Sequence, residues 1–371
     1  MKPTKKFNSI LWSFILALTL LSGCTAFSTP ASLPTATSIP GALVPGLTSP
    51  SAPEATDESV GLNSEQIATL DSLTKVDDYP LYTMRYLADY SQDMPAFSQS
   101  ATIHLPKSAA LPWGCSLFAA LGDPSAMLFG RNFDWQFSPV VLLFTDPPDG
   151  YASVSIVDFA YLGFQGSQVY ELNELPLSER QALLSAPLLP FDGLNENGLT
   201  VGMAAVPPGN MPVDSHKGTI DSILVIRLML DRARNVDEAL AILSEYNLNF
   251  AGGPPLHYLL ADASGSAILV EFYQGEMHVL SNQNPWHLAT NFLVSSTNDS
   301  PQDHCWRYDR ISERLSASGG SLSVENAIDL LSQVAQGNTQ WSVVYGLQSK
   351  QISVVMGRDY ENVHTFNLRD P

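Results

Sequence analysis

Cys115, Arg131 and Asp134 are the residues of this chain best placed to do chemistry together. They lie in Trp113-Gly114-Cys115-Ser116 and, after a turn around Asp123-Pro124, in Leu128-Phe129-Gly130-Arg131-Asn132-Phe133-Asp134. A thiol attacks only as thiolate, and a nearby guanidinium favours that form. If the chain is cut between Gly114 and Cys115, the new α-amine stands on the same residue as the thiol and can take its proton. The ordinary pKa of such an amine, about 7.7–8.0, suits a base near neutral pH. Asp134 can then accept a hydrogen bond from the amine and fix its orientation. Gly114 suits the cut, because it has no side chain to crowd a distorted peptide bond.

Cys115 followed by Gly130-Arg131-Asn132-Phe133-Asp134 resembles the opening of the choloylglycine hydrolase and penicillin acylase group of linear amide C–N hydrolases. That group is related to acid ceramidase and to acyl-coenzyme A:isopenicillin acyltransferase. Asp192-Gly193-Leu194-Asn195-Glu196-Asn197-Gly198-Leu199 is similar to the group's Asn-Glu-x-Gly-Leu turn, and His257 to Gly265 with Val270-Glu271-Phe272 to its central hairpin. Thr290-Asn291 and Trp306-Arg307-Tyr308 complete the series in order. The resemblance implies an α+β fold, the four-layer αββα sandwich of N-terminal-nucleophile hydrolases. It implies self-cleavage at Gly114–Cys115, a thioester at Cys115, Asn291 at the oxyanion, Arg307 as a second active-site guanidinium, a small-molecule amide as substrate and no cofactor. One stretch departs from the bile-salt and penicillin branch: where a further oxyanion Asn is expected, this chain reads Met203-Ala204-Ala205-Val206. Asn195 or a backbone N–H is then the candidate substitute.

Other readings of these residues stay open in the sequence. An acyltransferase would share the first half-reaction, and a papain-like hydrolase would leave the chain uncut and use a distant His, with no work for Arg131 and Asp134. A surface lipoprotein that only binds a ligand would keep Cys115 as a small buried hydrophobe. Cys115 could also pair with Cys305. Asn195 also reads as a turn former before Asn197-Gly198, Asn291 as a turn or cap residue, and Arg307 as the partner of Asp303 or Asp309. The seven histidines include no metal-ligand spacing, so no metal is expected.

These residues need a scaffold, and the chain supplies it late. Lys2, Lys5 and Lys6, an apolar run from Ile10 to Leu21 and Leu21-Ser22-Gly23-Cys24 form a signal peptide over 1–23 with a lipobox, which predicts a lipid on Cys24 and an exported, membrane-anchored protein. Residues 24–56 are Pro, Ser, Thr, Ala and Gly without periodicity, a tether. Residues 57–114 form a pro-segment or light chain, with a capped helix from Asn63 and an apolar set of Ile67, Leu70, Leu73, Tyr79, Tyr82, Tyr86 and Tyr90 expected to stay packed on the body. The catalytic body is 115–371. A formal net charge of -19 argues against nucleic-acid binding.

Within the body, short apolar runs at 126–129, 140–144, 153–157, 199–204 and 267–272 read as buried strands, and 341–345 with 351–356 as a hairpin. Helices are expected over 220–233, 236–246 and 324–336, each with a cap signal. Blocks of strands with paired helices between them indicate α+β layers.

Overall fold

The computed structural model describes residues 61–91, 114–251, 253–298 and 300–369. The leader, Cys24, the tether and the stretch just before Gly114 lie outside the described residues. Two antiparallel-rich sheets face each other. The nine-stranded sheet runs, neighbour to neighbour, Thr74–Asp77, Leu81–Tyr86, Val140–Thr145, Ser153–Asp158, Asp192–Asn195, Thr200–Ala205, Leu256–Ala261, Ala267–Tyr273 and Glu276–Ser281. The six-stranded sheet runs Trp286–Ala289, Gly114–Ala120, Leu128–Asp134, Thr339–Gly346, Gln351–Met356 and His364–Asn367. Helices Ser64–Asp71 and Leu224–Arg232 pack on the first sheet, and Trp306–Ala317 and Val324–Gln333 on the second. The order helix, sheet, sheet, helix is the four-layer α+β sandwich that the motifs imply.

Alternation along the strands decides what faces what. In Gly114–Ala120, Cys115, Leu117 and Ala119 join the larger core, which fills the space between the sheets, whereas Phe118 and Ala120 join the core beneath the two C-terminal helices. Leu117 pairs with Arg131 and Cys115 with Phe133 across the neighbouring strand, so thiol and guanidinium share the inter-sheet face. The sheets approach closely at Gly202, where a Cβ would lie 2.6 Å from Leu117 and 2.9 Å from Phe129.

Local cap signals were legible. Asn63 and Gln66 form a reciprocal capping box, and Asn235 and Ser323 accept from the N–H groups of Glu238 and Asn326. The helix expected from Ile220 instead starts at Leu224, because Gly218–Asp221 is drawn into a two-stranded parallel sheet with Tyr246–Asn249. That pairing joins residues 28 apart, which no local pattern reports.

Residues 61–91, upstream of Gly114, are built into the body. Leu81–Tyr86 pairs in parallel with Val140–Thr145, a strand buried along its whole length. Each of the four tyrosines reaches a body group with its hydroxyl: Tyr79 to Gln340 Oε1 (2.7 Å), Tyr82 to the Val169 carbonyl (3.1 Å), Tyr86 to the Leu184 carbonyl (2.8 Å) and Tyr90 to Asp231 Oδ1 (2.9 Å).

Candidate active site

Cys115 is 4% exposed and lines a cleft between the sheets that encloses about 520 Å³ including its mouth. Arg131 Nη2 lies 4.0 Å from its Sγ. The guanidinium is fully buried, donates from Nη1 to the Phe191 carbonyl (2.8 Å), pairs with Asp192, and lies 5.2 Å from the centre of the Phe133 ring. Asp192 also accepts from the Tyr345 hydroxyl at 2.5 Å. Burial pushes the Cys115 thiol up from its ordinary pKa, and Arg131 pulls it back. Desolvation also pushes the Asp192 carboxyl up, against the pull of Arg131 and the Tyr345 hydroxyl.

A second guanidinium serves the backbone of the same residue. Arg307, fully buried at the start of helix Trp306–Ala317, donates to the Cys115 carbonyl (2.5 Å), Ser116 Oγ (3.0 Å) and Asn291 Oδ1 (2.9 Å). Asn291 Oδ1 in turn accepts from the Cys115 backbone N–H at 2.7 Å, while Nδ2 donates to the Ala205 carbonyl at 2.8 Å. Two donors on one side and an acceptor on the other fix the amide's orientation. Arg307 therefore does not serve Asp303 or Asp309; Asp309 instead accepts from the Asp303 N–H.

Asp134 departs from the expectation. It sits opposite Gly114 across the strand pair, but its oxygens take Thr339 Oγ1 (2.5 Å), Gln336 Nε2 (2.7 Å) and Arg307 Nη1 (3.5 Å), and the Cys115 N–H goes to Asn291. A Cβ on Gly114 would lie 2.1 Å from Gln336 Nε2 and 2.8 Å from Asp134 Oδ2, so any side chain there would force these two groups to shift.

Asn195 is not at the cleft. Its Oδ1 accepts from the N–H groups of Asn197 and Leu199 (3.1 Å each), and its Nδ2 donates to the carbonyls of Leu230 (3.0 Å) and Ala233 (2.7 Å). It is spent on a turn and a helix end, and the oxyanion assignment finds no place for it. No disulfide joins Cys115 to Cys305, which lie in the two different cores. His257 pairs with Glu271 Oε1 at 3.1 Å, and His287 meets the Leu280 carbonyl at 2.8 Å, so both serve as structural contacts. Among the described residues no group of three or more His, Cys, Asp or Glu could hold a metal ion.

Asp192, Tyr345, Gln336, Thr339 and Asp221 were missed in the sequence. Asp192 had one usable signal, a lone carboxylate in the otherwise apolar run from Leu188 to Leu194.

Two facing sheets between helix layers form the four-layer αββα sandwich. Residues 180–298 match the family model of linear amide C–N hydrolases, choloylglycine hydrolase family. Two structures of conjugated bile acid hydrolase variants from Clostridium perfringens are similar at TM-score 0.50, with 15% and 14% identity, covering 69% of this chain and 92% and 93% of theirs. Penicillin V acylase from Agrobacterium tumefaciens is similar at TM-score 0.47 and 16% identity, over 69% of this chain and 86% of that one.

Proposed function

We propose that this protein hydrolyses linear amides with Cys115 as an N-terminal nucleophile exposed by its own cleavage. The observation that carries the reading is that two separate guanidiniums converge on Cys115, Arg131 on its thiol and Arg307 on its backbone surroundings. In the precursor, Sγ attacks the Gly114 carbonyl, the peptide shifts to a thioester, and water releases Gly114 as a carboxylate and Cys115 with a free α-amine. In turnover that amine takes the thiol proton, Sγ attacks the substrate carbonyl, and the proton passes to the leaving amine. Water then cleaves the thioester.

Asn291 would work on both sides of the reaction. Oδ1, held by Arg307, orients the α-amine, and the nearby positive charge disfavours its ammonium form and keeps it basic. The second Nδ2 hydrogen is the side-chain donor for the oxyanion, in a branch where Met203 to Val206 carry no amide side chain. Asp134, with Gln336 and Thr339, holds the strand end where Gly114 leaves.

Intact-mass measurement and N-terminal sequencing of the purified protein test the reading: the body should begin at Cys115, and Cys115→Ala should remain one chain. A processed Cys115→Ala protein, or an intact wild type that still turns over amides, would overturn it. The chain would be carried to the membrane by a lipid on Cys24. Mass analysis of the N-terminal fragment checks that, an unmodified Cys24 counting against it.

A further inference from the structure

The cleft beside Cys115 is lined largely by Phe133, Tyr161, Phe191, Met203, Ile223 and Leu256. Into this apolar wall the sequence sets one carboxylate, Asp221. It is 4% exposed, and its Oδ1 accepts from the N–H groups of Ile223 (2.7 Å) and Leu224 (3.3 Å) ahead of helix Leu224–Arg232. Its Oδ2 has no hydrogen-bond partner among the described residues. The other charge on the cleft wall, Arg131, is already matched by Asp192.

These turn contacts alone do not account for an Asp here. One oxygen suffices for them, and Asn or Ser would supply it without burying a charge. The carboxylate is also held rigidly: Asp221 pairs with Asn249 in the parallel two-stranded sheet, and the Ser222 N–H donates to the Asn249 carbonyl at 3.1 Å. Just beyond Asn249, Ala251, Gly253 and Pro254 line the same cleft, so the small sheet fixes both walls together. A preorganised acceptor in an apolar pocket discriminates strongly, because a ligand lacking the matching donor leaves it unpaired.

We infer that Asp221 is a specificity residue that takes a hydrogen-bond donor, a hydroxyl or an ammonium, borne by an otherwise apolar acyl group. This rests on Cys115 being the nucleophile of an amidase. The test is a panel of p-nitroanilides of apolar acids carrying a hydroxyl or an amine at successive carbons, each beside its unsubstituted parent. Wild-type enzyme should favour at least one donor-bearing compound over its parent by tenfold or more in kcat/KM. Asp221→Asn keeps the Oδ1 acceptor and should lose that preference at least tenfold. A hydroxyl-only or an amine-only preference both support the inference and identify the donor. No preference in wild type, or a preference that survives Asp221→Asn, overturns it. If no anilide is hydrolysed, the amidase reading is what fails. Thermal-shift binding of the free acids then still decides Asp221: equal binding of donor-bearing and parent acids, or equal binding by wild type and Asp221→Asn, overturns the inference.

Discussion

Replacing Arg131 by Met leaves Asp192 buried without its cation, and the consequences for stability and for chemistry can be separated. Both side chains are fully buried. Removing one partner of such a pair costs about 3–5 kcal/mol. Asp192 can limit the loss by taking a proton, which for a carboxyl of ordinary pKa near 3.9 costs about 4 kcal/mol at pH 7 and about 1.5 kcal/mol at pH 5. Because burial raises the folded-state pKa of this group, the stabilising proton is held at low pH and lost as pH rises. The variant should therefore be less destabilised at pH 5 than at pH 7 by roughly 1.4 kcal/mol per pH unit. Adding Asp192→Asn removes the orphaned charge and should restore most of the stability. It should not restore processing. At 4.0 Å from Sγ, a unit positive charge is worth up to about 4 kcal/mol at an effective dielectric constant of 20, with Asp192 offsetting part of it. Self-cleavage of the double variant should slow by at least tenfold and at most roughly a thousandfold. Urea unfolding at pH 5 and pH 7 and a mass-resolved time course of processing check both halves. A pH-independent loss in the single variant would refute the buried pair, and wild-type processing in the double variant would refute thiol activation by Arg131.

Three further outcomes are expected. Gly114→Ala should slow self-cleavage strongly, since its methyl would meet Gln336 Nε2 at 2.1 Å, and adding Gln336→Ala should relieve part of the block; gel analysis of purified precursor reads this, and unimpaired cleavage of Gly114→Ala would count against a tight fit. Asp158, 1% exposed, has its carboxyl pushed by burial to about 7, so its contribution is fully present below about pH 4 and is lost as pH rises through 7. Asp158→Asn should therefore flatten the stability profile between pH 5 and pH 8 in urea melts, and an unchanged slope would speak against a protonated Asp158. After processing, the 61–91 segment should co-elute with the body under native conditions, and Tyr90→Ala, which removes the hydroxyl bonded to Asp231 and the ring lying 5.7 Å from the Arg227 guanidinium, should let it be stripped at lower urea; separate elution of the wild-type fragments would show that the segment is discarded.

What was legible in the sequence was mostly local or periodic. Asn63, Asn235 and Ser323 announce helix starts because a cap and its N–H partner lie three residues apart. Cys115 and Arg131 were read as neighbours because only a turn around Asp123-Pro124 separates their segments, and the pairing of the two strands puts them on one face. What escaped were partners brought together from far along the chain. Asn291 meets the Cys115 N–H across 176 positions, and Gln336 meets Asp134 across 202. Nothing in the neighbourhood of Asp134 indicates that its oxygens are already taken. The apolar character of 61–91 was readable, but its parallel pairing with Val140–Thr145 was not, since parallel neighbours carry no turn signal. Asp221 was hidden inside an expected helix, although Asp followed by Ser-Ile-Leu is itself a start signal.

The proposed chemistry sets two demands on Cys115, and the sheet answers them on separate sides. A thiol must be helped to become an anion, whereas an α-amine must be kept from remaining a cation. Both are served by positive charge, yet a single guanidinium cannot hold position against Sγ and against the main chain at once. Strand alternation gives the solution: Sγ projects toward the inter-sheet cleft, where Arg131 is anchored by Asp192 and the Phe191 carbonyl, while Arg307 reaches the Cys115 main chain and Ser116 from the helix layer. Their counter-charges differ accordingly. Arg131 is tightly paired with a carboxylate that is buried with it, so its influence on the thiol is moderated and its geometry rigid. Arg307 lies 3.5 Å from Asp134 and makes shorter bonds to Asn291 Oδ1 and the Cys115 carbonyl. Positive charge on that side of the residue lets an α-amine there stay neutral at lower pH than a free one would.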